Sequence, residues 1–317
     1  MIVPRLGLSV LLLALLPCVA SAVVVAGANG GGNTTNNTTS AQMTAQLGLT
    51  NTAFYDNVLP YSDAGSVYLG WATTSSGPRA YLLSAMHITL SNTMLINAVS
   101  YSVTRQSISG SDLALLTLAN VDGIMPSLPV VNLATSTPSI GTSVIMAGFG
   151  RNRVQAATTN ASVSDAITLT NGTGYTTTSP QVQRWGTNAT ARADSSGPPS
   201  ATIIIALGAS NTTTIATQFD TPAADAWLST SEAQAVLGDS GGGVFTTNGT
   251  LAGIVATVSD DGLVAKFTDK TYFTDIATYK TAVDTAIGYT LVPEPSTSAL
   301  LLLGAGTALF FALRRRT

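Results

Sequence analysis

The sequence predicts an all-β protein, and three observations carry that prediction. Short apolar or β-branched runs recur along the chain with Gly, Pro, Ser and Asn between them, the pattern of strands and turns rather than of alternating strands and helices. Only 9% of the 317 residues are charged, and the polar remainder is rich in Thr, Ser, Asn and Gly, which favours strands and turns over long solvated helices. A single convincing helical repeat closes the domain: Ile276, Tyr279, Val283 and Ile287, with Thr274 or Asp275 to cap it and Gly288 to stop it.

Taken in order, the chain opens on an address. Arg5 precedes an apolar core from Leu8 to Leu16, and Ala20-Ser21-Ala22 supplies the small residues a signal peptidase needs, so residues 1–22 read as a signal peptide cleaved after Ala22. The sole cysteine, Cys18, lies inside it; Pro17 just before the thiol makes a lipoprotein site a poor fit. The mature chain then has no thiol, hence no disulfide framework and no Cys-based metal site or nucleophile. Residues 23–45, dominated by the Gly/Asn/Thr tract from Gly27 to Thr39, read as a flexible linker, because such composition buries too little apolar surface to offset its ordering entropy.

The folded part is expected over 46–288. Strand runs are Ser66 to Thr73, Ala80 to Ser84, Ser91 to Val103 with a break, Leu113 to Leu118 and Ser143 to Ala147. They resume at Thr202 to Leu207, Thr214 to Phe219, Val244 to Thr246, Leu251 to Val258 and Leu263 to Phe267. Between them, Gln155 to Pro199 is a Thr/Asn/Ser-rich insert with Gly197-Pro198-Pro199 as a breaker, read as a long hairpin or loop. A net charge of −3 gives no basic footprint for nucleic acid.

The chemistry-bearing stretch is Gly238-Asp239-Ser240-Gly241-Gly242. A serine between glycines can occupy a tight exposed turn whose backbone N–H groups face a developing oxyanion. The pattern alone also fits the G-x-S-x-G elbow of α/β-hydrolases or a plain structural turn. A serine needs a general base, and the sequence holds one histidine, His87. Asp112, opening the run Leu113 to Leu118, offers the carboxylate that would orient it. No histidine follows Ser240, which excludes the elbow's Ser, Asp, His order. A subtilisin order using Asp56 or Asp63 is formally possible, but the alternating helices and strands it needs are not visible. The order His, Asp, Ser is that of the chymotrypsin arrangement.

On these motifs, Ser84-Ala85-Met86-His87, Asp112-Leu113-Ala114-Leu115-Leu116 and Gly238 to Gly242, the chain resembles the trypsin/chymotrypsin-like serine protease family over residues 50 to 288. Supporting matches are Gly141 to Val144 through Gly148-Phe149-Gly150, Leu251 to Val255, and Tyr272 to Ile287. The resemblance implies two antiparallel six-stranded β-barrels, about 46–135 and 136–288, with a short C-terminal helix and a site in the cleft between them. It implies Ser240 as nucleophile, His87 as base and then acid, Asp112 as orienting carboxylate, and the N–H groups of Gly238 and Ser240 as oxyanion hole. The activity implied is serine endopeptidase action on polypeptide through an acyl-enzyme, with no metal or organic cofactor. Family members pair an N-terminal ammonium with the aspartate before the nucleophile, here Asp239; signal cleavage would expose Val23, with the Gly/Asn/Thr tract between it and the core.

The chain also departs from the family. Ala256-Thr257-Val258 stands where Ser-Trp-Gly is common, which removes a hydroxyl that would reach Asp112, with Thr257 as a possible substitute. Val258 should narrow the primary specificity pocket, and Gln234 stands where trypsins carry a floor aspartate. The pocket residues Gln234, Ala256 and Val258 therefore predict a small neutral P1 residue such as Ala or Val. A catalytically inactive protease-fold surface or biofilm-matrix protein is the alternative reading.

The end of the chain, 289–317, is a second address. Val292-Pro293-Glu294-Pro295-Ser296 precedes an apolar stretch, 298–313, and Arg314-Arg315-Arg316. At ~1.5 Å per residue the stretch reaches ~24 Å, somewhat under a ~30 Å hydrocarbon core, with the arginines held on the cytoplasmic side. This tail resembles the PEP-CTERM sorting signal of Gram-negative bacteria. That implies export to the cell envelope or beyond, membrane attachment before processing, and an exosortase-type sorting enzyme as a partner beside signal peptidase.

Overall fold

The computed structural model describes residues 23–25, 38–153, 167–169, 172–181, 183–193, 200–220, 231–260 and 262–291. The elements are β1 (Val24–Val25), α1 (Ser40–Leu47), β2 (Val58–Tyr61), β3 (Ala64–Thr74), β4 (Gly77–Ala85), β5 (Thr93–Ile96), β6 (Val99–Ser107) and β7 (Leu113–Ala119). They continue with β8 (Ser143–Gly148), β9 (Arg151–Arg153), β10 (Ile167–Leu169), β11 (Gly172–Gln181), β12 (Arg184–Ala191), β13 (Thr202–Leu207) and β14 (Ser210–Gln218). Last come β15 (Ala233–Gln234), β16 (Gly243–Thr246), β17 (Leu251–Val258), β18 (Val264–Lys266), β19 (Lys270–Asp275) and α2 (Ile276–Ile287).

The architecture is the all-β, chymotrypsin-like arrangement. The first sheet is antiparallel and six-stranded, in the order β2-β3-β4-β7-β6-β5. Tyr61, Tyr68, Leu82, Ile96, Tyr101 and Leu116, contributed by all six strands, converge on one core, so the sheet curls round its own interior. In the second sheet β12-β8-β16-β17-β19-β14 form a ring, because β12 pairs with both β8 and β14; β13 is added outside β14.

The near-continuous apolar runs of β3, β4 and β7 follow from burial on both faces. Side chains alternate across a strand, so Tyr68, Leu82 and Leu116 fill the first barrel. Their neighbours Leu69, Leu83 and Leu115 point the other way, into a layer shared with Ile145, Trp185, Phe245 and Ile254 of the second barrel. Each such leucine contributes about 1.5–3 kcal/mol by leaving water. Helix α2 lays Ile276, Val283 and Ile287 on that same layer. Asp275 caps it through the Ala277 N–H, and Gly288 ends it at φ +66°.

Structure begins earlier than the composition suggests, a correction to the linker expected over 23–45. Val24 and Val25 are buried and pair with Gln234 and Ala233. Helix α1 is capped reciprocally: the Thr39 hydroxyl accepts from the Gln42 N–H, and the Gln42 side chain accepts from the Thr38 N–H. Met43 is buried, and the Trp185 indole donates to the Thr39 carbonyl. The insert holds β10, β11 and β12, and β12 is a wall of the second barrel rather than a decoration. The expected signal peptide, most of the tract after Val25 and the sorting tail from residue 292 lie outside the described residues. Among the described residues no helix is long and apolar enough to cross a membrane.

Candidate active site

His87 and Asp112 are brought together by strand pairing. His87 follows β4, Asp112 precedes β7, and the two strands are in register with Ala85 opposite Leu113. The Met86 N–H extends the ladder by donating to the Asp112 carbonyl at 2.7 Å. The Asp112 carboxylate, 2% exposed, then accepts from the His87 backbone N–H at 3.0 Å and meets His87 Nδ1 at 2.6 Å. An ionised carboxylate only accepts, so Nδ1 carries the proton and Nε2 is left as acceptor. Nε2 lies 3.0 Å from Ser240 Oγ. The structure thus joins the three residues the sequence singles out into one hydrogen-bonded relay in the cleft between the barrels.

Ser240 sits on the turn between β15 and β16, tied to both barrels. Its carbonyl accepts from the Gly65 N–H of β3 at 2.8 Å, and the next N–H, of Gly241, donates to Val255 of β17 at 2.8 Å. Gly241 has φ +81°, and a Cβ there would fall 2.0 Å from the Gly65 carbonyl oxygen, so only glycine fits. Ser84 Oγ donates to that same Gly65 carbonyl at 2.6 Å, which ties the strand leading to His87 to the strand that holds Ser240. Among the described residues, the N–H groups of Gly238 and Ser240 take no hydrogen-bond partner. Two N–H groups without a partner on the turn that carries Ser240 are the kind of donor an oxyanion would need.

Asp239 is fully buried beneath this turn. Its Oδ1 accepts from the Gly150 N–H at 2.7 Å and its Oδ2 from the Val236 N–H at 2.8 Å. The Val23 N–H reaches both oxygens at 3.3 Å. Burial pushes the Asp239 carboxyl up to about 7, against the pull of the Val236, Gly150 and Val23 N–H groups. Gly148 and Gly150 leave room for it: a Cβ on either would lie 2.3 Å from a carboxylate oxygen. That role of the Gly148-Phe149-Gly150 stretch is not visible in the sequence, where it is a supporting match to the protease family with no function attached.

Beside Ser240 opens a cleft of about 180 Å³ walled by Val236, Leu237, Ala256 and Val258, with Asp260 at one side. Ala256 and Val258 lie where the sequence places them. Gln234 does not line this cleft; it is buried in β15 opposite Val24, and Val236 takes the wall. Thr257 does not replace the missing serine either: its hydroxyl points to the Val258 carbonyl at 3.4 Å, and the hydrogen bonds of the Asp112 carboxylate are to His87. Asp260 is a wall residue that sequence reasoning missed, since it lies beyond the end of β17 with no motif around it. Among the described residues no three or more His, Cys, Asp or Glu side chains converge as they would on a metal ion.

A curled antiparallel barrel and a second closed one define the class of fold, the all-β, chymotrypsin-like arrangement, and His87, Asp112 and Ser240 are hydrogen-bonded in sequence within it. The chain's end carries a second identity, since residues 291–316 match the PEP-CTERM protein-sorting motif, which marks bacterial proteins exported to the cell envelope. No curated protein sequence matches the chain. Among solved structures it is similar to the HtrA-type protease AlgW, solved with a decapeptide, at 16% identity over 70% of this chain and 50% of that one, with a TM-score of 0.40. It is also similar to Rv3671c from M. tuberculosis H37Rv, solved as a mutant in an inactive form, at 11% identity over 74% of this chain and 88% of that one, with a TM-score of 0.43. The chain thus spans half the length of the AlgW chain it matches.

Proposed function

We propose that this protein is an exported serine endopeptidase that cleaves polypeptide through an acyl-enzyme on Ser240. The observation that carries the reading is the unbroken relay from Asp112 Oδ2 through the His87 ring to Ser240 Oγ, at 2.6 and 3.0 Å. His87 Nε2 takes the hydroxyl proton as Oγ attacks the scissile carbonyl, and Asp112 stabilises the imidazolium that forms. The N–H groups of Gly238 and Ser240 receive the oxyanion, each worth roughly 3–4 kcal/mol of barrier. His87 then gives its proton to the leaving amine, and a water repeats the sequence on the acyl-enzyme.

Export and activity are coupled in this reading. Signal peptidase cleavage after Ala22 turns the Val23 amide into an ammonium at the place where its nitrogen already meets Asp239. A full charge beside the buried carboxylate would hold it ionised and fix the turn that carries Gly238 and Ser240. The C-terminal tail attaches the protein to the membrane until an exosortase-type enzyme processes it at the envelope of a Gram-negative cell.

The cleft, about 180 Å³ with Val258 among its walls, is small against the ~300–1,000 Å³ of typical ligand sites, which supports a small neutral P1 residue. A peptide-library digest tests both levels: the proposal expects cleavage after Ala or Val that is absent in Ser240→Ala. Cleavage mainly after Arg, Lys, Phe or Glu would overturn the P1 preference, and equal cleavage by Ser240→Ala would overturn the nucleophile.

A further inference from the structure

The specificity cleft contains a carboxylate, although the sequence lacks the aspartate expected on its floor. Asp260 stands in the wall beside Val258, and its Oδ2 is ion-paired with the Lys266 ammonium of β18. Neither partner is fully solvated: the side chains are 25% and 16% exposed for Asp260 and Lys266. A charge in a cleft walled by Val236, Leu237, Ala256 and Val258 is poorly screened, so the sign that a P1 side chain meets depends on whether Asp260 is neutralised there. The pairing is held in place by its surroundings. Lys266 lies on β18, which is paired with β11. The Lys266 backbone N–H also donates to Asp269 Oδ2 at 3.1 Å, which anchors the main chain that carries the ammonium. On the other side, Gly262, two residues after Asp260, accepts from the Leu237 N–H at 2.8 Å, which fixes the Asp260 segment against the segment leading to Ser240.

We propose that Asp260 and Lys266 are the residues that set the charge selectivity of this cleft: the Lys266 ammonium occupies the carboxylate that would otherwise bind a basic P1 side chain, and so keeps the site selective for neutral residues. The proposal rests on the endopeptidase reading and deepens it. It gives a physical reason for neutral preference that wall size alone does not supply, because a long flexible Lys side chain can thread past Val258 more readily than an aromatic ring can. Specificity here is a difference between two states of one ion pair: a cation entering the cleft must displace Lys266 to gain Asp260, whereas a methyl or isopropyl group displaces nothing.

The experiment compares wild type, Lys266→Met, Lys266→Gln, Asp260→Asn and the Asp260→Asn/Lys266→Met double variant on peptides that differ only at P1, with Ala, Val, Lys and Arg. Folding is checked for each by thermal unfolding, and the two Lys266 variants guard against one failing to fold. The expected result is that either Lys266 variant raises the Lys-to-Ala ratio of kcat/KM by about tenfold or more, that the double variant restores the neutral preference, and that Asp260→Asn alone, which leaves the Lys266 ammonium without its carboxylate, lowers the Lys-to-Ala ratio below that of the wild type. A second arm needs no turnover. In a Ser240→Ala background, n-butylamine, an alkylammonium probe that mimics a Lys side chain, is expected to bind the Lys266→Met protein at least about tenfold more tightly than the double variant. An unchanged Lys-to-Ala ratio in folded Lys266 variants, or a wild type that already prefers Lys and Arg, overturns the proposal. If no variant turns over any peptide, the endopeptidase reading has failed, and n-butylamine binding still decides the role of the ion pair: equal affinity in both Ser240→Ala backgrounds overturns it.

Discussion

The backbone nitrogen of Val23 lies 3.3 Å from each carboxylate oxygen of Asp239, which is 216 residues away and immediately precedes Ser240. The first residue expected after signal cleavage is therefore in contact with the residue beneath the nucleophile turn. A protein that starts at Val23 should react at Ser240 at least about tenfold faster than one that retains Ala22, because only the former places an ammonium against the buried carboxylate. Time courses of fluorophosphonate labelling on the two N-terminally sequenced forms check this; equal rates would mean that the contact is structural only.

The same residue predicts a pH signature. In the uncleaved chain Asp239 keeps its proton up to about 7, whereas an unfolded aspartate releases it near ~4. Between those limits the folded state binds more protons than the unfolded one, so stability falls as pH rises from about 4 to about 7. In the form starting at Val23 the ammonium lowers the folded pKa and the fall shrinks. Denaturant unfolding of both forms across that range reads the difference directly, and parallel curves would contradict it.

Gly150→Ala should impair both fold and site. The new Cβ would fall 2.3 Å from an Asp239 oxygen, so the carboxylate or the β8–β9 turn must shift. A loss of about 1–3 kcal/mol is expected from overpacking of this kind, with slower Ser240 labelling. The extent of each is measured by denaturant titration and by probe kinetics on the folded fraction.

Asp112→Asn tests the relay apart from binding. An amide in place of the carboxylate can present its NH2 to Nδ1, which favours the tautomer with the proton on Nε2 and removes the base. A fall in kcat of about four orders of magnitude at neutral pH with KM little changed is expected, as in comparable triads. Steady-state kinetics on the best peptide substrate give the split.

Much of this was legible in the residues, and the reasons differ from element to element. The relay residues stood out because one histidine, one carboxylate at a strand start and one glycine-flanked serine in a diagnostic order leave few alternatives. Helix α2 was legible to the residue because its apolar period, Asp275 and Gly288 agree. Strand β12 was not. Its Thr187, Asn188 and Thr190 are buried but polar, with Asn188 donating to the Gln218 and Ala233 carbonyls, so tertiary hydrogen bonds stand in for the apolar alternation that marks a strand. Helix α1 carried a readable Thr39–Gln42 cap, overshadowed by the Gly/Asn/Thr tract before it. In the site, Gln234 was placed by its distance from Ser240 along the chain, a measure blind to which face of β15 it would occupy. Asp260 was invisible because only folding brings the end of β17 beside the nucleophile.

The central claim is that Ser240 is an activated nucleophile. The most direct measurement is covalent labelling by a fluorophosphonate probe of the purified protein starting at Val23, at neutral pH, beside Ser240→Ala and His87→Ala. The account predicts labelling of the unaltered protein at Ser240, mapped by mass spectrometry, with none in either variant. A folded protein with Val23 at its N-terminus that stays unlabelled, or labelling that persists in Ser240→Ala, would contradict it.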